Sequence, residues 1–354
     1  MSVQEIQFTN GIRQTYQPKL NEVSRCASIG LRKWIETSDN FVPVDTGNSK
    51  CIELALYDIS EVLTCWASDI VRLSNASVET VHSVCSNSDD KKFLAWQIVQ
   101  YYYSAFYSAH ATLKLCGFGL IQIDQKMINN IKQRALTLGI TLPKYDAGIY
   151  CVEISVSSSK VTFFVVNKYN DSHRGLWHRY VDFLRVLTGL YIKTGTVDSN
   201  CVRARTNTDP AQPPLSVYAQ LSATDASAIT SRIDDLRDAL DSRGDCNWLS
   251  AIRNLINYNH ALGVWYPYDG YSENLLSIVG TEMKELYIHD PMSTNFSFSH
   301  DGDNQLIKFV KCCQLINSIN VHILFDLSKR HPENKSFLRY GPIAFMNTHG
   351  HSVH

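Results

Sequence analysis

The segment from Lys91 to Leu115 constrains the fold of this chain more than any other. It reads Trp96-Gln97-Ile98-Val99-Gln100-Tyr101-Tyr102-Tyr103-Ser104-Ala105-Phe106-Tyr107-Ser108-Ala109-His110, and aromatic residues fall on every side of a helix with this sequence. A helix that is apolar nearly all round has no face to give to water, so it belongs at the centre of a bundle. Ser104, Ala105, Ser108 and Ala109 form small patches where neighbouring helices can approach closely. Asp89-Asp90 suit the start of this helix, and Gly117 stops it.

Other stretches supply neighbours for it. Helical spacing runs through Cys51 to Ser74 (Ile52, Leu56, Ile59, Leu63, then Trp66, Ile70 and Leu73), Asp124 to Leu138, Gly175 to Thr194, Asp225 to Ser242 and Asn304 to Lys329. Residues 1 to 50 show no clear period, and Asp39 to Lys50 reads as a loop. Asn207 to Pro214 is a proline-rich loop, and Gly270 to Asp303 is irregular apart from a short helix near Met283. Phe337 to Met346 predicts one more short turn of helix.

Helical spacing fails from Ile149 to Val166, where two β-rich runs flank Ser157-Ser158-Ser159-Lys160 and predict a β-hairpin. The expected fold is mainly α. It comprises an N-terminal segment (1–50), a helical bundle (51–265) with a small hairpin inserted at about 149–166, and a C-terminal helical extension (266–354). At 354 residues and 44% hydrophobic composition the chain can bury a large core.

The composition narrows the function classes. A net charge of −1 offers no global basic field, which argues against a strong non-specific nucleic-acid binder but leaves room for a local basic cleft. The ten cysteines include no C-x-x-C, and adjacent Cys312-Cys313 is a poor geometry for two ligands of one zinc, so no metal site is expected. Reduced thiols, the absence of a basic-then-apolar leader and the absence of a long apolar run together suggest a cytoplasmic protein with no membrane span. No G-x-x-x-x-G-K or G-x-G-x-x-G phosphate loop occurs, so no nucleotide cofactor is expected. His349, His351 and His354 read as chance histidines in a frayed tail. His173 and His178, five residues apart, fall on different helix faces and make no metal pair.

The chemistry concentrates in Arg253-Asn254-Leu255-Ile256-Asn257-Tyr258-Asn259-His260. On a continuous helix the seven-residue spacing puts Arg253 and His260 on nearly one line, with Asn257 beside it and Trp248, Leu249, Ile252, Leu255 and Ile256 on the buried side. A fixed cation, an amide and a group titrating near neutrality suit the binding and cleavage of a phosphodiester. The plainer account is that His260 lies in the last helical turn, where the macrodipole favours a base, with Gly263 as the cap and Pro267 beyond. About 10.5 Å of helix rise separates the two residues, so bringing both to one phosphate takes a bend, a flexible arginine or a second copy of the motif.

Two stretches together resemble the HEPN superfamily of α-helical domains, found in many prokaryotic toxins and defence proteins. The first is Tyr102-Tyr103-Ser104-Ala105-Phe106-Tyr107-Ser108-Ala109-His110-Ala111 ending in Leu115-Cys116-Gly117, which looks like the family's tyrosine and small-residue helix; many members carry a histidine where Tyr107 stands. The second is Arg253-Asn254 followed by His260, similar to the family's arginine–polar–histidine signature. The resemblance covers roughly residues 50 to 265. The hairpin and the long connection before Arg253 make this chain larger than a minimal member, and the C-terminal 90 residues or so have no counterpart. For the acidic residue that some members add from another helix, Glu53 and Asp58 are candidates.

The resemblance implies a metal-independent ribonuclease with no cofactor, working as a homodimer with a composite site, and an antitoxin or sensor protein as a further partner. Arg253 would hold the phosphate, His260 would move protons, and Asn254 would orient one or the other. Asn257 and Tyr258 would support them. Attack by the ribose 2′-OH would leave a 2′,3′-cyclic phosphate, so RNA would be the substrate and DNA would resist. Trp265, Tyr266 and Tyr268 follow the motif and either stack bases or pack against neighbouring protein. His110 reads as a core histidine that approaches the cleft only if the helix turns it there. Two other readings stay open: a non-catalytic dimerisation or partner-binding module of the same fold, and a small-nucleotide-binding partner in which Arg253 grips phosphate without cutting it.

Overall fold

A computed structural model describes residues 3–87, 94–166, 171–195, 223–265, 273–284, 291 and 305–348. They are mainly helical, with one small antiparallel sheet. Helix α1 spans Val3–Ile12 and α2 Leu31–Thr37, before strands β1 (Phe41–Val44) and β2 (Cys51–Leu56). The long helices α3 (Ile59–Asn87) and α4 (Leu94–Leu115) follow, then β3 (Phe118–Ile123), α5 (Gln125–Thr137), β4 (Gly148–Ser155) and β5 (Lys160–Val165). Helices α6 (Ser172–Gly195), α7 (Ala223–Leu240), α8 (Trp248–Asn257), α9 (Glu273–Lys284) and α10 (Gln305–Ser328) lead to a π-helical turn at Arg339–Ile343 and α11 (Ala344–Thr348).

The aromatic helix α4 takes the central place its composition demands. Tyr101, Tyr102, Ala105, Ala109 and Leu115 have no exposed surface. Its small residues lie at the close approaches to its neighbours. Ser108 shares a 2.8 Å hydrogen bond with Ser77 of α3. Ser104 Oγ accepts one of 2.9 Å from Asn317 Nδ2 of α10. On the α10 side, Phe309 stacks on Tyr102 with ring centres 6.4 Å apart. Gly117 then turns the chain into β3 with φ +81°, and a Cβ there would lie 1.9 Å from Gln17 Oε1. Both constraints select glycine at the helix end. Asp89-Asp90 lie outside the described residues.

The β-hairpin forms where expected, but it is not an isolated insertion. It occupies the middle of a five-stranded antiparallel sheet in the order β1-β2-β5-β4-β3. The sheet also corrects the helix expected from Cys51. Residues 51–56 form a strand, in which Ile52, Leu54 and Leu56 are buried and Glu53 and Ala55 are less so. Ile52 and Leu56 satisfy a helical spacing as well as this alternation, so local pattern alone does not separate the two. The helix begins only after Asp58, whose carboxylate accepts the Ser60 backbone N–H at 2.8 Å. Glu53 pairs across the sheet with Lys160 at 2.6 Å.

Packing crosses both expected domain boundaries. Strand β1 lies before residue 51 and pairs with β2. One continuous core runs from Phe8 to Met346, and α10 contributes Phe309, Val310, Cys312, Cys313 and Ile316 to it. The last long helix is therefore a wall of the bundle rather than an outlying extension. It is tied to the start of the chain by Arg13, which pairs with Asp326 at 2.6 Å, and by Tyr16, whose hydroxyl donates to the same carboxylate at 3.1 Å. No helix among the described residues is long and apolar enough to cross a membrane.

Candidate functional site

Helix α8 places Arg253. The turn before it uses left-handed residues Gly244 (φ +72°) and Cys246 (φ +52°), and Asp241 Oδ1 accepts the Cys246 N–H at 3.1 Å. Trp248, Leu249, Ile252 and Ile256 are buried, with Trp248 against Phe309 at 6.3 Å. Arg253 goes into the interior with them and is only 6% exposed. Its guanidinium carbon lies 5.2 Å from the centre of the Tyr102 ring, 5.7 Å from that of Tyr103 and 6.0 Å from that of Tyr258. Among the described residues no carboxylate pairs with it, and its Nε has no hydrogen-bond acceptor. A buried guanidinium is ordinarily paired, because removing it from water costs several kcal/mol (~). Here aromatic ring faces and a hydrogen bond to the Tyr102 hydroxyl partly compensate the charge, and Nε is left without an acceptor.

The expected helical line from Arg253 to His260 is not formed. Helix α8 ends at Asn257, and His260 lies beyond it with φ +49°. The carbonyls of the last turn explain the stop. Leu255 O accepts from Ala261 N at 3.0 Å, and Ile256 O accepts the Trp265 indole N–H at 2.7 Å, so neither continues an α-helical ladder. Gly263 does have a left-handed φ of +58°, yet it sits in the loop rather than capping the helix. A left-handed non-glycine residue costs about 1–2 kcal/mol. His260 offsets this by stacking on Trp265, with ring centres 4.9 Å apart and planes 19° apart. Trp265 in turn packs edge-on to Trp96 at 5.8 Å. Trp265 is thus a packing residue within this chain, which holds His260 at the surface.

The remaining sequence candidates divide. Asn254 and Tyr258 are exposed, Tyr258 at 68%, and Tyr258 stands beside Arg253. Asn257 is half-buried at the helix end. Tyr266, Tyr268 and the C-terminal histidines lie outside the described residues. Glu53 is engaged by Lys160, and Asp58 is an exposed helix cap held below the usual carboxylate range by its hydrogen bonds to Ser60. His110 packs against Phe106 at 4.8 Å, and burial, with the charges of Lys114 and His173, pushes it down to about 3.

A residue that sequence reasoning left aside joins Arg253. His173, in the first turn of α6, stacks on the Tyr102 ring at 5.8 Å and meets Tyr103 edge-on at 6.0 Å, the same two rings that carry the guanidinium. Its Nδ1 shares a 2.8 Å hydrogen bond with the Tyr102 hydroxyl. That hydroxyl also meets Ser250 Oγ at 2.9 Å and accepts the Trp177 indole N–H at 3.1 Å. Burial, then the Arg253 charge, lower the His173 pKa, while Asp171 opposes them. Burial pushes the Tyr102 phenol up to about 12 against the opposing pull of Ser250, Trp177 and Arg253. Spacing could not reveal this cluster, because it joins α4, α6 and α8 across more than a hundred residues of chain.

A cavity of about 620 Å³ lies elsewhere, lined by Cys26, Val71, Asn75, Phe337, Tyr340 and Phe345 among others, and includes neither Arg253 nor His260. No family model, curated protein or solved structure matches this chain.

Proposed function

We propose that the protein is a metal-independent RNA endonuclease of HEPN type in which Arg253 holds the scissile phosphate. One observation carries this reading: a guanidinium 6% exposed, with no carboxylate partner among the described residues and an Nε without an acceptor, packed between three tyrosine rings. A non-bridging phosphate oxygen supplies the missing acceptor, and the negative charge building up on it during cleavage draws more from a buried cation than from a hydrated one. Exposed Tyr258 offers a stacking face for a neighbouring base.

In this reading the ribose 2′-OH attacks phosphorus, the P–O5′ bond breaks, and His260 protonates the departing oxygen. The products are a 2′,3′-cyclic phosphate and a 5′-hydroxyl. Asn254 and Asn257, near the open end of α8, orient the strand. Two copies meeting at this end would form a continuous groove, which sedimentation or light scattering tests directly. A toxin or antiviral role and control by an antitoxin or sensor protein would follow from such an activity in a living cell; arrest of growth on induction, relieved by His260→Ala, is the expected sign.

The decisive experiment incubates wild type, Arg253→Ala and His260→Ala with total RNA and with single-stranded DNA in EDTA. RNA cut only by wild type, with cyclic phosphate ends, supports the reading. Intact RNA with wild type, or DNA cut equally, counts against it.

A further inference from the structure

Arg253 and His173 lean on the same pair of rings, Tyr102 and Tyr103, from two different helices. We propose that His173 is the base that removes the 2′-OH proton at the Arg253 site, with Tyr102 as its positioning residue. This rests on the ribonuclease reading above and deepens it.

One of the proton arrangements open to these shared hydrogen bonds leaves His173 a free ring nitrogen. Trp177 Nε1 can only donate, and it lies 3.1 Å from both Tyr102 Oη and Ser250 Oγ. With the Tyr102 proton directed to Ser250 at 2.9 Å, the phenol oxygen accepts Nδ1–H of His173 at 2.8 Å. The lone pair then lies on Nε2, for which no hydrogen-bond partner occurs among the described residues. The charged and titratable groups around the ring are Arg253 from α8, Tyr102, Tyr103 and His110 from α4, and Asp171 from its own segment. Arg253 and burial together favour the neutral ring, the form a base needs near neutrality.

The step balances without an added reagent. The 2′-oxygen forms its bond to phosphorus as its proton passes to His173 Nε2. The P–O5′ bond breaks, and the 5′-oxygen takes a proton from the imidazolium of His260. Exchange with water returns both rings to their starting forms.

Substrates with sulfur in place of the bridging 5′-oxygen separate the two roles, because a thiolate leaves without an acid. His260→Ala should recover most of its activity on the thio-substrate. His173→Asn should lose about 100-fold or more on both substrates and lose the acidic limb of its rate–pH profile. Should His173→Asn not fold, as judged by circular dichroism, Tyr102→Phe decides: kcat is expected to fall about tenfold or more with KM unchanged, and an unchanged kcat would overturn the proposal. Normal cleavage by folded His173→Asn, or its rescue by sulfur, would overturn this inference while leaving the roles of Arg253 and His260 intact. No cleavage by wild type would remove the ribonuclease reading and this inference together.

Discussion

The guanidinium of Arg253 sits 5.2 Å from the centre of the Tyr102 ring, and no carboxylate shares that interior space among the described residues. Charge is held there by ring faces instead of by an ion partner. Such an arrangement places stability and function in opposition.

Arg253→Met tests that opposition. The substitution removes a buried, unpaired charge at nearly constant volume, which outweighs the lost ring contacts. The variant should be more stable by about 1 kcal/mol, with Tm raised by about 1–3 °C. RNA cleavage should fall at least about 100-fold. Scanning calorimetry and a gel assay on the same preparation read both; a less stable variant would mean that the rings hold the cation for structural reasons.

Loosening His260 should reduce activity with little effect on the fold. Trp265→Ala removes the stacking face at 4.9 Å and the indole donor to Ile256 O. We expect cleavage to drop about tenfold and the loop after α8 to lose amide protection in hydrogen exchange, with α4 protection unchanged. His260→Ala, at an exposed position, should leave Tm within about 1 °C of wild type.

Acid should destabilise the protein through its enclosed histidines. His110 is held at about 3 and His173 is also lowered, both below the ordinary histidine value. The unfolded chain therefore binds more protons once pH falls below about 6.5, so this contribution is complete above that pH and is lost as pH drops toward about 3. Urea midpoints measured from about pH 7 down to about pH 4 should decline, and His110→Gln should flatten the decline.

Asp69 neutralises an interior cation. Lys114 is 5% exposed, lies 3.6 Å from the centre of the Trp66 ring and pairs with Asp69 at 3.2 Å. Asp69→Asn leaves that ammonium without its counter-charge and weakens the acceptor for Leu31 N–H. A loss of about 2–4 kcal/mol is expected, read by chemical denaturation. Replacing Lys114 by Met in the same background should restore part of it.

The sequence made the helix at the centre legible, because aromatic residues on all sides leave only one environment open. The hairpin was legible for a similar local reason, its β-rich runs flanking a serine turn. Strands β1, β2 and β3 were not, since their identity depends on pairing: Ile52 meets Phe163 across the sheet, more than a hundred residues away. The end of α8 was misread because an indole from Trp265, nine residues beyond Ile256, takes a carbonyl that spacing assigns to the helix. His173 escaped for the same reason as β2. Its partner Tyr102 lies 71 residues away, Ser250 reaches it only through the Tyr102 hydroxyl, and only the packing of three helices brings the group together.

Helix α10, which walls one side of α4, also has a consequence for how the chain is made. About 190 residues separate Leu115 from Gln305. At about 5–20 residues per second, a ribosome needs roughly 10–40 s to deliver that wall after the aromatic helix has been synthesised. During that interval the flank of Tyr101, Tyr102 and Ser104 that meets this helix has no protein to cover it. Nascent chains truncated before residue 305 should therefore be bound by chaperones or precipitate, whereas the completed chain encloses the same surface.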